Sequence, residues 1–368
     1  MTTNNTNDDV QQVTNAQSNN IRIGISQGDT NGVGYELIFK TFADNAMFEI
    51  CTPIIFGHIK AANYHRKALN ADVQLHVINE AEDAVAGKLN FVNVADDDVK
   101  VEYGVQSAEA GHAAFVSLEC AIEAYKCGSI DALVTAPINK ASIQSTNFRF
   151  VGHTEYLQDR VGDEQSEPLM ILCNNLMRVA LVTTHLPISE VAFAVTEDKV
   201  AQKTKLLYES LKRDFNLSAP RIAVLALNPH AGDGGVLGHE ETEIIAPVVR
   251  TLSDAGMPCY GPYAADGFFG AGQYRHFDGI LAMYHDQGLA PFKALSMNDG
   301  VNFTAGLPIV RTSPDHGTAY DIAGKGLADA NSFRQAIYAA IDICRNRKAY
   351  DASHANPLPK IYQERKER

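Results

Sequence analysis

Short apolar segments alternate with amphipathic segments along most of this chain, and that alternation constrains the fold more than any other feature. Apolar runs predict strands at residues 21–26, 52–56, 131–136, 169–173, 178–184, 221–227, 278–284 and 307–312. Amphipathic stretches predict helices at 32–43, 107–127, 196–213, 240–255 and 332–346. Buried strands that alternate with helices are typical of a parallel sheet covered by helices on both faces. The sequence therefore predicts the α/β class with a mostly parallel, doubly wound arrangement.

The length and the tails of the chain suggest how it is organised. With 368 residues, 45% of them hydrophobic, the chain can bury a large core, and its length favours two α/β/α domains. Residues 1–19 are polar with few apolar anchors, so we expect a disordered tail there. Residues 351–368 end in a strongly charged segment, which predicts a solvated C-terminal tail.

Charge and cysteine usage narrow the classes of function. The net charge of −13 argues against a broad nucleic-acid surface. No window resembles a membrane span, and the N-terminus lacks the apolar run of a secretory signal, so we expect no membrane partner. The six cysteines are scattered without a CxxC pair, which is typical of reduced thiols. We therefore expect a cytoplasmic protein.

Three predicted strands are each followed closely by a histidine. His185 follows VALVTT, His230 follows IAVLALNP, and His285 follows ILAMY. Ligands of open α/β sheets bind outside the carboxyl ends of the strands, so the three imidazoles could converge on one metal ion. The alternative is that each is an ordinary hydrogen-bonded histidine at a strand end. The sequence does not prove convergence, but the shared placement favours a metal site.

Other segments carry groups that suit an anion. The stretch 228–241 has a glycine-rich turn before a helix, which either brings backbone amides to an anion or simply makes a tight turn. Lys293 and Arg311 lie in apolar surroundings, which favours a buried anionic partner. Lys140 follows a strand and is a weaker candidate. Residues 313–329 form a long loop of the kind often used for binding.

Taken together, the segments GHTEYL, TTHLPI, LNPHAGDGG, AMYHDQGLAPFK and GVNFTAGLPIVRTSPDHGTAYDIAGKG closely resemble the 4-hydroxythreonine-4-phosphate dehydrogenase family. The resemblance runs from about Ile21 to about Cys344 and is most specific over 281–326. It implies a fold similar to isocitrate and isopropylmalate dehydrogenases, with the active site between two domains. The first domain would comprise 20–138 plus 302–350, and the second, which carries metal ligands and the dimer contact, would comprise 139–301.

The resemblance also implies roles for individual residues and for partners. The implied ligands of a divalent metal (zinc, magnesium or cobalt) are His185, His230 and His285. The implied substrate and phosphate ligands are His153, Thr154, Lys293, Asn302 and Arg311. The implied cofactor loop, for NAD or NADP, includes His316, Gly317 and Thr318. The family is dimeric, so we expect a homodimer whose active site takes residues from both subunits.

The implied reaction is oxidation of 4-phosphooxy-L-threonine to 2-amino-3-oxo-4-phosphooxybutanoate, which loses CO2 to give 3-amino-2-oxopropyl phosphate in pyridoxal 5'-phosphate biosynthesis. The group that takes the hydroxyl proton is left open between Lys293 and Asp266.

Three rival functions stay open from the sequence. A related dehydrogenase could act on a phosphorylated four-carbon sugar acid or on a cis-dihydrodiol, although the basic residues favour a phosphate. A metal-dependent hydrolase would also use histidines, but the chain lacks an HExxH motif. A non-catalytic metal-binding protein would need no ordered phosphate-binding set.

Overall fold

Among the described residues, the sheet contains the eight strands that the sequence predicts and four further strands. The computed structural model describes residues 20–95, 99–144, 148–150, 152–164, 166–296 and 298–357. The strands in these ranges are β1 (Ile21–Ser26), β2 (Cys51–Gly57), β3 (Leu75–Ile78), β4 (Leu89–Asn93), β5 (Ala132–Thr135), β6 (Leu169–Cys173), β7 (Arg178–Leu181), β8 (Ile222–Leu225), β9 (Cys259–Tyr263), β10 (Gly279–Ala282), β11 (Val301–Ala305) and β12 (Val310–Pro314).

The described strands join in one twelve-stranded sheet in the order β3-β4-β2-β1-β5-β12-β11-β6-β7-β10-β8-β9. Most neighbours run parallel, and the antiparallel pairs are β11 with β12, β11 with β6, and β6 with β7. The expected mostly parallel α/β class is thus confirmed. The strands of the two expected domains join in this one sheet at β11. The domain boundary expected between residues 301 and 302 falls inside that strand.

Helices cover the sheet, and two of them begin at a residue whose side chain caps the helix. They are α1 (Gly34–Phe42), α2 (Met47–Ile50), α3 (Ile59–Ala68), α4 (Ala108–Lys126), α5 (His153–Val161), α6 (Ile188–Ala194), α7 (Glu197–Arg213), α8 (Ala246–Asp254), α9 (Ala265–Gly270), α10 (His285–Leu295) and α11 (Asn331–His354). Ser107 caps α4 and Thr196 caps α7, each accepting a hydrogen bond from an amide of the first turn. None of the helices in the described part of the chain is long and apolar enough to cross a membrane.

The last helix is longer than its apolar pattern indicates. We expected it to end at residue 346, but α11 continues to His354. Arg347 donates to the Asp214 carboxylate at 2.6 Å, and Asp351 accepts from Arg213 at 2.9 Å and 2.7 Å. These ion pairs to the end of α7 stabilise two further turns without an apolar repeat. The expected N-terminal tail at 1–19, and the C-terminal segment after residue 357, lie outside the described residues.

Alternation along the central strands decides which side chains face the candidate site. In β11, Phe303 is fully buried in the apolar core beneath α11, while its neighbours Asn302 and Thr304 point to the opposite face. In β12, the Thr312 hydroxyl bonds the Ala336 carbonyl of α11, so Arg311 points to the opposite face as well. This face, polar at the centre of the sheet, forms the floor of a cleft.

Candidate active site

A cleft beside the centre of the sheet collects most of the predicted site residues. Strands β5, β12, β11 and β6 form its floor, and the first turn of α5, the ends of β7 and β10, and the segment 313–317 form its walls. The predicted site residues that line it are His153, Thr154, His185, His285, Lys293, Asn302, Arg311, His316 and Gly317. The structure therefore brings together all five predicted substrate residues and two of the three predicted metal ligands.

Arg311 is a buried cation at the floor of this cleft. The residue is 4% exposed. Its guanidinium donates hydrogen bonds from Nη2 and Nε to the Thr135 hydroxyl, at 2.7 Å and 3.1 Å. A third bond reaches the Thr304 hydroxyl at 3.3 Å. Desolvation lowers the pKa of Arg311 to about 10, with the Glu155 carboxylate acting in the opposite direction. No carboxylate among the described residues forms an ion pair with it, so the guanidinium is available to an anion.

Two polar atoms at the cleft wall lack hydrogen-bond partners. Nε2 of His153 and Oδ1 of Asn302 are both buried and unpaired within the described part of the chain. Burial lowers the pKa of His153 well below its usual value, and the positive charges of Arg311 and Lys140 lower it further. Buried polar groups are nearly always paired in folded proteins, so these two atoms are positions where a ligand in the cleft could form hydrogen bonds.

The start of α5 adds backbone donors to the same region. His153 and Thr154 are the first residues of this helix, and no side chain caps it. The free amides of a helix N-terminus attract anions. Lys293 and Lys140 also line the cleft, and Lys293 donates to the Asp315 carbonyl at 2.7 Å. The charge and donors here suit a phosphate.

His185 and His285 face each other at the other end of the cleft, with ring centroids 6.0 Å apart. They meet because β7 and β10 are parallel neighbours and end at the same edge. Burial lowers the pKa of His185, and the Lys140 ammonium, whose Nζ lies 3.4 Å from His185 Nε2, lowers it further. His285 contacts the Asp286 carboxylate through Nδ1 at 2.8 Å, which leaves Nε2 toward the cleft as a potential ligand.

His230 stays apart from the other two histidines. It lies in a turn at Pro229–Gly235 where residues 230–235 all have positive φ, so the backbone becomes left-handed directly after Pro229. Glu241 braces the turn by accepting hydrogen bonds from the amides of Leu227 and Asn228 at 2.8 Å and 2.7 Å. Within the described ranges of one chain, no group of three His, Cys, Asp or Glu side chains could hold a metal ion.

Part of the predicted cofactor loop lines the cleft, and part of it packs against the turn after β1. His316 and Gly317 line the cleft, whereas the Thr318 carbonyl accepts a hydrogen bond from the Val33 amide at 3.1 Å. The Tyr320 hydroxyl donates to the buried Asp29 carboxylate at 2.7 Å. The loop is therefore fixed to the glycine-containing turn after β1, and Thr318 serves that contact.

Asp266 does not line this cleft. It is exposed at the start of α9, among the described residues. The sequence reasoning missed Thr135, which anchors Arg311, and Glu155, which lines the cleft two residues after His153. No local signal marks Thr135 because its partner lies 176 residues away. Glu155 could have been noticed within GHTE.

An α/β fold with a cleft that holds basic side chains and unpaired polar atoms is typical of an enzyme that acts on a small anionic molecule. Comparison with known proteins identifies the family. The family described as pyridoxal phosphate biosynthetic protein PdxA matches residues 49–340. The chain belongs to this family.

Individual relatives and solved structures agree with that assignment. The chain is 60% identical over 351 residues to the 4-hydroxythreonine-4-phosphate dehydrogenase of Bacteroides thetaiotaomicron, covering 95% of this chain and 96% of that protein. It is 38% identical to a putative D-threonate 4-phosphate dehydrogenase of Oceanobacillus iheyensis over 87% of this chain and 97% of that protein. The crystal structure of the Klebsiella pneumoniae 4-hydroxythreonine-4-phosphate dehydrogenase superposes with a TM-score of 0.75 at 30% identity, covering 88% of this chain and 99% of that one.

Proposed function

We propose that this protein oxidises 4-phosphooxy-L-threonine with NAD or NADP and a divalent metal, giving a β-keto acid that decarboxylates to 3-amino-2-oxopropyl phosphate. The observation that carries the proposal is the buried guanidinium of Arg311, which has hydroxyl partners but no acidic partner among the described residues. It lies in one cleft with a pair of facing imidazoles. Phosphate recognition and hydroxyl activation would thus occupy opposite ends of one site.

The basic end of the cleft would bind and orient the substrate. Arg311 would form charge-assisted bonds with the phosphate, which His153, Thr154, Asn302 and Lys293 would complete as further donors or contacts. Such anchoring would hold the C3 hydroxyl toward His185 and His285 and restrict its orientation. In that complex the unpaired Nε2 of His153 would gain a partner, and the unpaired Oδ1 of Asn302 would accept a hydrogen bond from a hydroxyl or amino group of the substrate.

The histidine end fits a borderline metal by its chemistry, since His185 and His285 are two imidazoles at one end of the cleft, and a metal ion would take the place of Lys140 Nζ at His185 Nε2. When bound, a divalent metal supplies Lewis acidity that lowers the pKa of a neighbouring hydroxyl. His316 and Gly317 would contact a nicotinamide cofactor, and that cofactor would supply the hydride acceptor when bound. Lys293, which lines the cleft, would take the hydroxyl proton only as a neutral amine, and the other candidate, Asp266, does not line the cleft of its own chain.

A homodimer with a shared site would explain the separation of His230 from the other histidines. Phe193 is 87% exposed and Ile188 is 72% exposed on α6, which begins just after His185, and Val236 is 78% exposed just after the His230 turn. Large apolar side chains exposed in this way favour a protein interface. His230 of one protomer would then complete the site formed by His185 and His285 of its partner.

The activity is tested by incubating the purified protein with 4-phosphooxy-L-threonine, NAD or NADP, and zinc, magnesium or cobalt. We expect cofactor reduction together with CO2 release. Lack of NADH or NADPH formation with every metal would contradict the proposal. Oxidation of D-threonate 4-phosphate instead, the substrate in the name of the Oceanobacillus relative, would favour a sugar-acid dehydrogenase.

The shared site is tested by mixing inactive variants under conditions that exchange subunits. A mixture of His185→Ala and His230→Ala should regain activity, because each mixed dimer would contain one site with all three histidines. A mixture of His185→Ala and His285→Ala should remain inactive, because those residues would serve the same site. Equal recovery in both mixtures, or in neither, would contradict this division of ligands.

A further inference from the structure

Among the described residues, three Lys or Arg side chains and two carboxylates line the cleft. Arg311, Lys140 and Lys293 line it, while the carboxylates among its described lining residues belong to Glu155 and Asp315. Asp315 is engaged elsewhere, because its carboxylate lies against Gly300 and accepts from the Ser332 hydroxyl at 3.4 Å near the start of α11. Glu155 is left as the acidic side chain that can serve a ligand.

Glu155 lies between the two ends of the cleft. It is the third residue of α5, and it lines the cleft together with Arg311 at the phosphate end and His185 at the other end. Its charge raises the pKa of Arg311 against the lowering effect of burial. It forms no ion pair with a basic side chain among the described residues. A carboxylate with nearby positive fields but no direct partner can accept a cationic or strongly donating group from a ligand.

The chemistry of the proposed substrate supplies such a group at this place. In 2-amino-3-hydroxy-4-phosphooxybutanoate the amino group is the one cationic centre, and it is attached next to the carbon that carries the reacting hydroxyl. With the phosphate at Arg311 and the hydroxyl toward His185 and His285, the amino group would lie near the wall that carries Glu155. The 2-hydroxy analogue has no cationic centre, so it would gain a weaker, neutral donor contact there.

We propose, building on the proposed function, that Glu155 is a specificity-determining residue that accepts a hydrogen bond from the amino group of the substrate and so selects a phosphorylated amino acid over the matching sugar acid. The purely structural alternative is that an acidic residue in the first turn stabilises α5 through the helix dipole. That role would affect both substrates equally, which makes the two explanations separable.

The test compares wild type, Glu155→Gln and Glu197→Gln, the last being an equivalent first-turn change in α7 remote from the cleft. Calorimetry and kinetics are run with 4-phosphooxy-L-threonine and with 2,3-dihydroxy-4-phosphooxybutanoate. We expect Glu155→Gln to weaken binding and kcat/KM for the amino acid by about 10- to 100-fold, as expected for a lost charge-assisted bond. Binding of the sugar acid and of inorganic phosphate should change less than about 3-fold, the size of a surface-charge effect.

The outcomes separate this proposal from the one it rests on. Equal losses for both acids, or no loss for either, would overturn the role of Glu155 while leaving the dehydrogenase intact. Failure of wild type to bind or oxidise either acid would overturn the proposed function and this role together. Glu197→Gln should match wild type throughout, and a parallel loss there would assign the effect to helix stability.

Discussion

The hydroxyl of Thr135 on β5 holds the guanidinium of Arg311 on β12, at 2.7 Å from Nη2 and 3.1 Å from Nε. The two strands are parallel neighbours, with Arg311 opposite Leu133 in the register. The contact orients a buried cation that would otherwise lack a partner on that side. The proposed phosphate recognition would therefore depend on a residue with no charge of its own.

Replacing Thr135 by valine should weaken substrate binding. The change keeps the shape but removes the oxygen, so two buried donors of Arg311 lose their acceptor. We expect KM to rise about 10-fold and the free energy of unfolding to fall by about 1–3 kcal/mol. Steady-state kinetics and urea unfolding measure both. Thr135→Ser keeps the oxygen and should restore KM; an unchanged KM in the valine variant would contradict the anchoring role.

Inorganic phosphate should stabilise the protein through Arg311. Desolvation lowers the pKa of this buried guanidinium to about 10, and an anion would offset that cost. At phosphate concentrations near 100 times Kd, the stabilisation is about 2.7 kcal/mol, seen as a higher Tm at constant ionic strength. Arg311→Met should abolish the rise, whereas Lys293→Met, at a more exposed position, should only reduce it. The same Tm rise in Arg311→Met would place the anion elsewhere.

His65 should make the protein sensitive to acid. Its Nε2 lies 2.7 Å from the Thr30 carbonyl, and burial lowers its pKa from 6.5 to about 4. Because the folded pKa is depressed, the unfolded state takes up the proton first, and stability falls as pH drops from 6.5 toward 4. The loss amounts to about 3 kcal/mol.

Urea unfolding at several pH values between 7 and 4 compares wild type with His65→Gln, which keeps an amide donor but does not titrate. The variant should lose less stability across the window by about the same 3 kcal/mol. Parallel curves for the two proteins would show that other groups cause the acid sensitivity.

In the left-handed turn that carries His230, alanine should destabilise the protein more at Gly232 than at Gly234. Gly232 has φ +76°, and a Cβ there would lie 2.6 Å from a Glu241 carboxylate oxygen and 2.9 Å from the Gly238 carbonyl oxygen. Gly234 has φ +64°, but a Cβ would meet no atom within 4 Å. Gly234→Ala should therefore cost about 1 kcal/mol of stability, and Gly232→Ala about 2–4 kcal/mol because it adds a clash.

Calorimetry with zinc measures whether Gly232→Ala and Gly234→Ala also change the affinity for a metal ion. Gly232→Ala should weaken zinc affinity about 10-fold or more, since displacement of a supporting group typically has that effect on metal sites. Gly234→Ala should bind zinc as wild type does. Equal affinities in the two variants would separate His230 from the metal.

Local patterns in the sequence determined much of the sheet and the kinds of residue at its centre. Apolar runs located the eight predicted strands, because buried strands must be apolar whatever their neighbours are. They missed β3, β4, β9 and β11 among the described strands, and in β4 and β11 the sequences LNFVN and VNFTA mix polar and apolar residues. The polar positions of β11 lie on the face of the cleft, and Asn302 lines it. The polar residues that break the apolar pattern of this strand are therefore the ones near the candidate site.

The residue types of the candidate site could also be read from the sequence, since imidazoles after strands and basic residues in apolar surroundings are local signals. Only the tertiary structure decided their distances and partners. Thr135 contacts Arg311 because the strand register brings together segments 176 residues apart. His230 lies apart from the other two histidines because it is in a left-handed turn that Glu241 stabilises. Local periodicity fixes which residues are buried, whereas pairing between distant segments fixes which of them touch.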